Sequence, residues 1–143
     1  MTLTRRYRFC SAHRLHSPAL SEEANQQTYG RCNNPFGHGH NYVLEVSVDG
    51  QPDAVTGRLM AIEDLDGLVT ANVLRVYDGK NMNVDIDRFQ GEFVPTTENV
   101  AVDVRERLER SWPEPGSPWR HTRMMPRLAG VRLFETRKNI FDI

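Results

Sequence analysis

Two histidines at the mouth of an alternating run constrain this chain more than any other feature: His38 and His40 in CNNPFGHGHNYVLEVSV, residues 32–48. Tyr42, Leu44, Val46 and Val48 are apolar, Asn41, Glu45, Ser47 and Asp49 are polar, and Val43 alone breaks the alternation. A period of two marks a strand with one buried face. Side chains two apart on a strand point the same way, so His38 and His40 can aim two imidazoles at one point on the apolar side. Gly37 and Gly39 leave room for a close approach. The N-terminal run LTRRYRFCSAH alternates as well, with Leu3, Tyr7, Phe9, Ser11 and His13 on one face. His13 closes this first strand where His38 and His40 open the second. Antiparallel pairing of the two brings three histidines to one end of a sheet. Three imidazoles leave a fourth tetrahedral position open, which is the catalytic rather than the structural zinc pattern. His-x-His alone is a weak pattern; the third histidine on a second strand gives it weight.

The chain has 143 residues, enough for one domain with a real core, expected to span 1–143. With 38% hydrophobic and 26% charged residues it reads as a soluble, globular protein. No run approaches the length of a membrane span, and MTLTRRYRFC lacks the apolar core of a signal peptide. The expected compartment is the cytoplasm, where Cys10 and Cys32 are thiols rather than a disulfide. A net charge of −1 argues against a nucleic-acid partner held by bulk electrostatics. Arg5, Arg6, Arg8 and Arg14 still crowd the first strand, either as a solvated face or as a patch for an anionic substrate.

Beyond the second strand, QPDAVTG reads as a turn. The period then changes: Ile62, Leu65, Leu68, Val69, Val73 and Val76 fit one helical face. Gly79, in YDGKN, is a plausible terminator. Thr96 and Thr97 offer N-cap hydroxyls to a second helix, with Glu98 where a helix start favours negative charge. Val100, Val104 and Leu108 form its stripe, which ends near Trp112. Pro113, Pro115, Pro118 and Pro126 make 113–127 a loop. AGVRLFETR and IFDI follow as two strands. Two strands, two helices and two strands predict an α+β domain: a four-stranded antiparallel sheet with two helices on one face.

FCSAHRL, CNNPFGHGHNY, PTTENVA and LFETRKNI together resemble the signatures of the 6-pyruvoyltetrahydropterin synthases and the related 6-carboxytetrahydropterin synthases. The long segment between His13 and Cys32 is more similar to the pyruvoyl type. The resemblance runs nearly end to end. It implies the tunnelling fold, in which a trimer closes the sheets into a barrel and two trimers stack into a homohexamer with active sites at subunit interfaces. It also implies a zinc site at His13, His38 and His40, a catalytic Cys32 and a catalytic Asp78. Glu135 corresponds to a pterin anchor, and Thr96, Thr97 and Glu98 to a pterin-binding helix start. One position departs from the pattern. The family segment Asp-His-Lys-Asn reads Asp78-Gly79-Lys80-Asn81 here, so a catalytic histidine is replaced by glycine.

Such a site suits the family substrate, 7,8-dihydroneopterin triphosphate. Zinc is a Lewis acid toward the side-chain hydroxyls, and Cys32 is the candidate base, with a thiol made acidic by a nearby cation. A carboxylate at Glu135 matches the adjacent N–H donors of a pterin ring. The expected reaction eliminates triphosphate and yields 6-pyruvoyltetrahydropterin without a redox cofactor. Formation of 6-carboxytetrahydropterin, and a pterin-binding homologue impaired by Gly79, are the alternatives. His16 and His121 read as surface residues, His121 being the other possible source of the missing imidazole.

Overall fold

The computed structural model describes residues 1–91, 93–114 and 119–143. Its frame is a five-stranded mixed sheet in the order β3-β1-β2-β4-β5. Strands β1 (Thr2–His13) and β2 (His38–Asp49) pair antiparallel along their whole length, with Thr2 opposite Asp49 and His13 opposite His38. β4 (Arg127–Phe134) adds to β2, and β5 (Ile140–Asp142) to β4, both antiparallel. The expected four antiparallel strands are therefore present. The fifth, β3, is only Lys80–Asn81 and runs parallel to Ser11–Ala12. Two residues carry no readable period, so the sequence did not announce it.

Alternation decides which face is covered. Phe9, Tyr42, Leu44, Val46, Val48, Val131 and Leu133 are buried on one side. The other side carries cross-strand polar pairs: Arg6 donates to Glu45, and the Thr4 and Ser47 hydroxyls lie 2.8 Å apart. Helices cover the apolar side. The helix expected from Ile62 consists of α2 (Ile62–Val69), a wide π turn (Thr70–Leu74) and α3 (Arg75–Tyr77). α5 (Thr97–Ser111) is capped by the Thr96 hydroxyl, which accepts from the Asn99 N–H. Two shorter helices, α1 (Glu22–Tyr29) and α4 (Met82–Asp85), add to the two that were expected. Of the proline-rich loop, Pro115 and Pro118 lie outside the described residues, and Trp119 onward has no regular element before β4.

A buried charge ties the two long helices together. Asp103 of α5 accepts from the Tyr77 hydroxyl at 2.5 Å and from Arg107 Nε at 2.6 Å, with Arg88 Nη1 at 3.6 Å. Burial and the adjacent carboxylate hold the Tyr77 phenol far above its ordinary pKa, so it only donates at neutral pH. Two of the three arginines in β1 are also held by carboxylates, and Arg14 just beyond it donates to the Asn33 carbonyl. Arg5 grips Asp66 of α2 with two nitrogens, a carboxylate also bound by Tyr7, and Arg6 is held by Glu45.

Removing one partner of a buried ion pair strands the other charge. Asp103→Ala should therefore lower the unfolding free energy by about 3 kcal/mol. Tyr77→Phe, which loses one hydrogen bond, should cost about 1 kcal/mol. Urea denaturation at matched protein concentration checks both.

Candidate functional site: three imidazoles at the end of the sheet

The register that builds the sheet also builds the site. His13 stands directly opposite His38, and Ser11 opposite His40, so all three imidazoles project on the helix-covered side. Their ligand atoms lie within 4.8 Å of one another, and His13 Nε2 is 3.1 Å from His38 Nε2. The His40 Nε2 atom is buried and has no hydrogen-bond partner. A buried, orphaned nitrogen beside two converging ones is costly unless something binds it. Gly37 makes the approach possible. Its φ is +68°, and a Cβ there would sit 2.8 Å from the His13 carbonyl oxygen, so a larger residue would push the two strand ends apart.

Burial favours the neutral form of His13 and His38. Desolvation pulls the His13 pKa down to about 4, against a smaller opposing effect of its hydrogen bond to Pro95. His38 is lowered too, first by desolvation and then by His40. Neutral imidazole is the form that binds metal. Three nitrogen donors of borderline softness fit zinc.

Cys32 lies half-buried in the 3₁₀ turn Gly30–Asn33, fixed to the residues just past His13. The Leu15 N–H donates to the Cys32 carbonyl at 2.8 Å, and Asn33 Nδ2 donates to the Leu15 carbonyl at 2.7 Å. Desolvation, then the Glu135 charge, raises the thiol pKa. The sequence reading expected a lowered value because it assumed a cation beside the sulfur. The protein alone holds the thiol protonated, and a positive charge at the imidazoles is what would reverse this.

Glu135 is in the site but not where the strand pattern put it. It follows the end of β4, in the turn that leads to β5. Its Oε2 accepts from Asn139 Nδ2 at 2.7 Å, and its Oε1 lies 3.7 Å from Nε2 of both His13 and His40. Burial alone would raise its pKa, but hydrogen bonds from Asn139 and Thr97 and the nearby imidazoles bring it below the usual range. Thr96 caps α5, Thr97 is buried against Glu135, and Glu98 is exposed in the first helical turn.

Asp78 and Gly79 sit at the sheet edge instead. Asp78 Oδ1 accepts from the Cys10 N–H at 2.8 Å, and the Gly79 N–H donates to the Cys10 carbonyl at 2.7 Å. Cys10 is three residues before His13, roughly 10 Å along the strand, and points to the opposite face. Gly79 has φ +71°, and a Cβ there would meet nothing within 4 Å. His121 lies by Asp53 and Arg58, and its N–H donates to Asp64 at the start of α2. The neighbouring Thr122 hydroxyl accepts from the Ala61 N–H. His16 accepts from Asn33 Nδ2 at 3.0 Å, if its Nδ1 carries the lone pair.

Two groups at the site went unread in the sequence. Tyr42 scanned as one more apolar core position, yet its hydroxyl lies 3.4 Å from His13 Nδ1. The Pro95 carbonyl, 2.8 Å from the same nitrogen, is a backbone atom that no residue pattern reveals.

Sheet and site together define an α+β protein with a three-histidine cluster that could hold a metal ion, placed beside a carboxylate whose charge also reaches the Cys32 thiol. A family model described as 6-pyruvoyl tetrahydropterin synthase matches residues 2–143, and the protein belongs to that family. A 6-pyruvoyl tetrahydrobiopterin synthase from Poecilia reticulata is 40% identical over 138 residues, which cover 96% of this sequence and 86% of the relative. The human protein of the same name is 38% identical, over 96% of this sequence and 87% of its own length. The solved structure of Caenorhabditis elegans 6-pyruvoyl tetrahydropterin synthase matches with a TM-score of 0.87 at 36% identity, covering 100% of this protein and 94% of that one. The fold is thus the tunnelling fold that the motifs suggested. No helix among the described residues is long and apolar enough to cross a membrane.

The lowered pKa of His13 has a stability consequence. Between pH 6.5 and about 4 the unfolded protein protonates this residue and the native one does not. Stability of the metal-free protein should therefore fall as pH drops through that window, by about 3 kcal/mol from this residue. Denaturant midpoints across the window should fall in the wild type and flatten in His13→Gln.

Proposed function

We propose that the protein is a zinc-dependent lyase that eliminates triphosphate from 7,8-dihydroneopterin triphosphate to give 6-pyruvoyltetrahydropterin. The observation that supports this reading best is the meeting of three imidazoles and Glu135 at one end of the sheet, beside the start of α5, with Cys32 near enough to respond to the Glu135 charge. Zinc held by His13, His38 and His40 would supply Lewis acidity toward the side-chain hydroxyls of the substrate. Cys32 is the group that accepts the carbon-bound proton next to those hydroxyls, once a nearby positive charge offsets burial and Glu135. Glu135 is the carboxylate that anchors the pterin ring, whose adjacent N–H donors it matches. Thr96, Thr97 and the exposed Glu98, at the start of α5, complete the pterin-binding set.

Asp78 completes the set across an interface. Within one subunit it is bound to the Cys10 N–H at the sheet edge. Among the described residues, the edge of β1 has a strand partner only at Ser11 and Ala12. Unpaired edges invite closure with further copies, and a trimer that closes the sheets would carry Asp78 to its neighbour. We take the assembly to be a homohexamer of two trimers, built from one domain spanning 1–143, in the cytoplasm. Neither membrane nor nucleic acid is a partner in this reading.

Gly79 favours a second reading, a pterin-binding homologue with impaired turnover. It lacks an imidazole and adopts a left-handed conformation. Loss of a general acid or base costs about 10²–10⁴ in rate.

Zinc-loaded protein incubated with 7,8-dihydroneopterin triphosphate should release triphosphate and form 6-pyruvoyltetrahydropterin, and Cys32→Ala should abolish both. Tight pterin binding with neither product would establish the second reading; a 6-carboxytetrahydropterin product would place the protein with the related synthases. Gly79→Ala and Gly79→His should each lose about 1–2 kcal/mol of stability from the left-handed backbone. Neither should meet a steric clash. Any gain in turnover of the histidine over the alanine variant then reports the restored imidazole.

A further inference from the structure

We propose that the Pro95 carbonyl sets the tautomer of His13 and that the Tyr42 hydroxyl, accepting a share of the same Nδ1–H, is a positioning residue for the metal. The inference rests on the metal-binding reading above and deepens it. Pro95 O lies 2.8 Å from His13 Nδ1. A carbonyl has no hydrogen to give, so the hydrogen of this bond sits on Nδ1. A neutral imidazole carries one N–H, and Nε2 is therefore left with its lone pair, aimed at the other two histidines.

The excluded tautomer would do harm at both ends. A hydrogen on His13 Nε2 would point at His38 Nε2, 3.1 Å away. The two ligands would then bond to each other in the space where a metal has to sit. At the other end, the bare Nδ1 lone pair would face the lone pairs of the Pro95 carbonyl. The carbonyl is held in place by a short turn, in which the Thr96 N–H donates to the Val94 carbonyl at 2.8 Å. Thr96 then caps α5, so the helix start and the ligand orientation are one construction.

Tyr42 supplies a second oxygen, which accepts the longer branch of the bond that Nδ1–H shares with Pro95. Its side chain is fully buried, and the hydroxyl lies 3.4 Å from Nδ1. That contact is its one hydrogen bond among the described residues. The ring cannot swing away: it stacks on Phe9 at 5.0 Å and 17°, and meets His40 edge-on at 5.7 Å. Every later inward position of β2, Leu44, Val46 and Val48, is aliphatic. The one hydroxyl on that face stands next to the ligand strand end.

Tyr42→Phe removes the hydroxyl and keeps the ring. Zn²⁺ affinity, measured by competition with a chromophoric chelator at pH 7.5, should fall about tenfold, the low end for a lost partner of a metal ligand, because Pro95 remains. The melting temperature of the metal-free variant should stay near wild type. Unchanged affinity would overturn the role of Tyr42, as would a fall matched by loss of metal-free stability. A second measurement does not depend on the variant folding: ring ¹⁵N shifts of His13 in metal-free wild type should report hydrogen on Nδ1. Hydrogen on Nε2 overturns the proposal. Wild type that binds no Zn²⁺ would sink the metal reading instead, while the nitrogen shifts would still decide the tautomer.

Discussion

The antiparallel register of β1 against β2 is the constraint on which everything else depends. A slip of one residue would move every side group of a strand to the other face. His38 and His40 would then leave the helix side together with Tyr42, Leu44 and Val46. Both faces vote for the same register. Phe9 stacks on Tyr42 inside, while Arg6 binds Glu45 and Thr4 meets Ser47 outside. Cross-strand pairs of this kind are the unit of sheet stabilisation. Folding and ligand convergence are therefore one event, with no separate step needed to assemble the histidines.

Burial then gives the cluster its chemical character. Desolvation lowers His13 and His38 and raises Cys32. Each shift favours the uncharged form, the expected response to low dielectric. Glu135 is the exception, kept ionised by Asn139, Thr97 and the imidazoles. The protein thus presents three converging imidazoles, two of them held neutral by burial, and one fixed negative charge, a surrounding that favours a cation. Under the proposed function the Cys32 thiol would depend on such a cation for its basicity, so acid–base function would be conditional on ligand binding rather than built into the fold.

Much of this was legible in residue order alone. Period two exposed β1, β2 and the shared face of His13, His38 and His40. The apolar spacing from Ile62 exposed the long helix, and Thr96 the cap of α5. What escaped had no period to read. β3 is two residues long. α1, EEANQQTY, has no apolar stripe and is anchored by the buried Asn25, whose amide binds the carbonyls of Ser17, Leu20 and Ser21. AGVRLFETR reads as one strand through Glu135, but β4 ends at Phe134 and the carboxylate sits in the turn that follows. A pattern of side groups says nothing about a carbonyl, which is why Pro95 was invisible.

The wide turn at Thr70–Leu74 fixes the length of its helix. Leu65, Val69, Val73 and Tyr77 are fully buried at steps of four. An unbroken α-helix, with 3.6 residues per turn, would carry such a row steadily around its axis. The π turn absorbs part of that drift, so Tyr77 still meets Asp103 and the next two residues still meet Cys10. Deleting one residue here would restore ideal α-helical bonding and rotate all that follows by roughly 100°. The segment is locally irregular, yet it is intolerant of insertions and deletions, as a spacer that sets the phase between the core and the sheet edge must be.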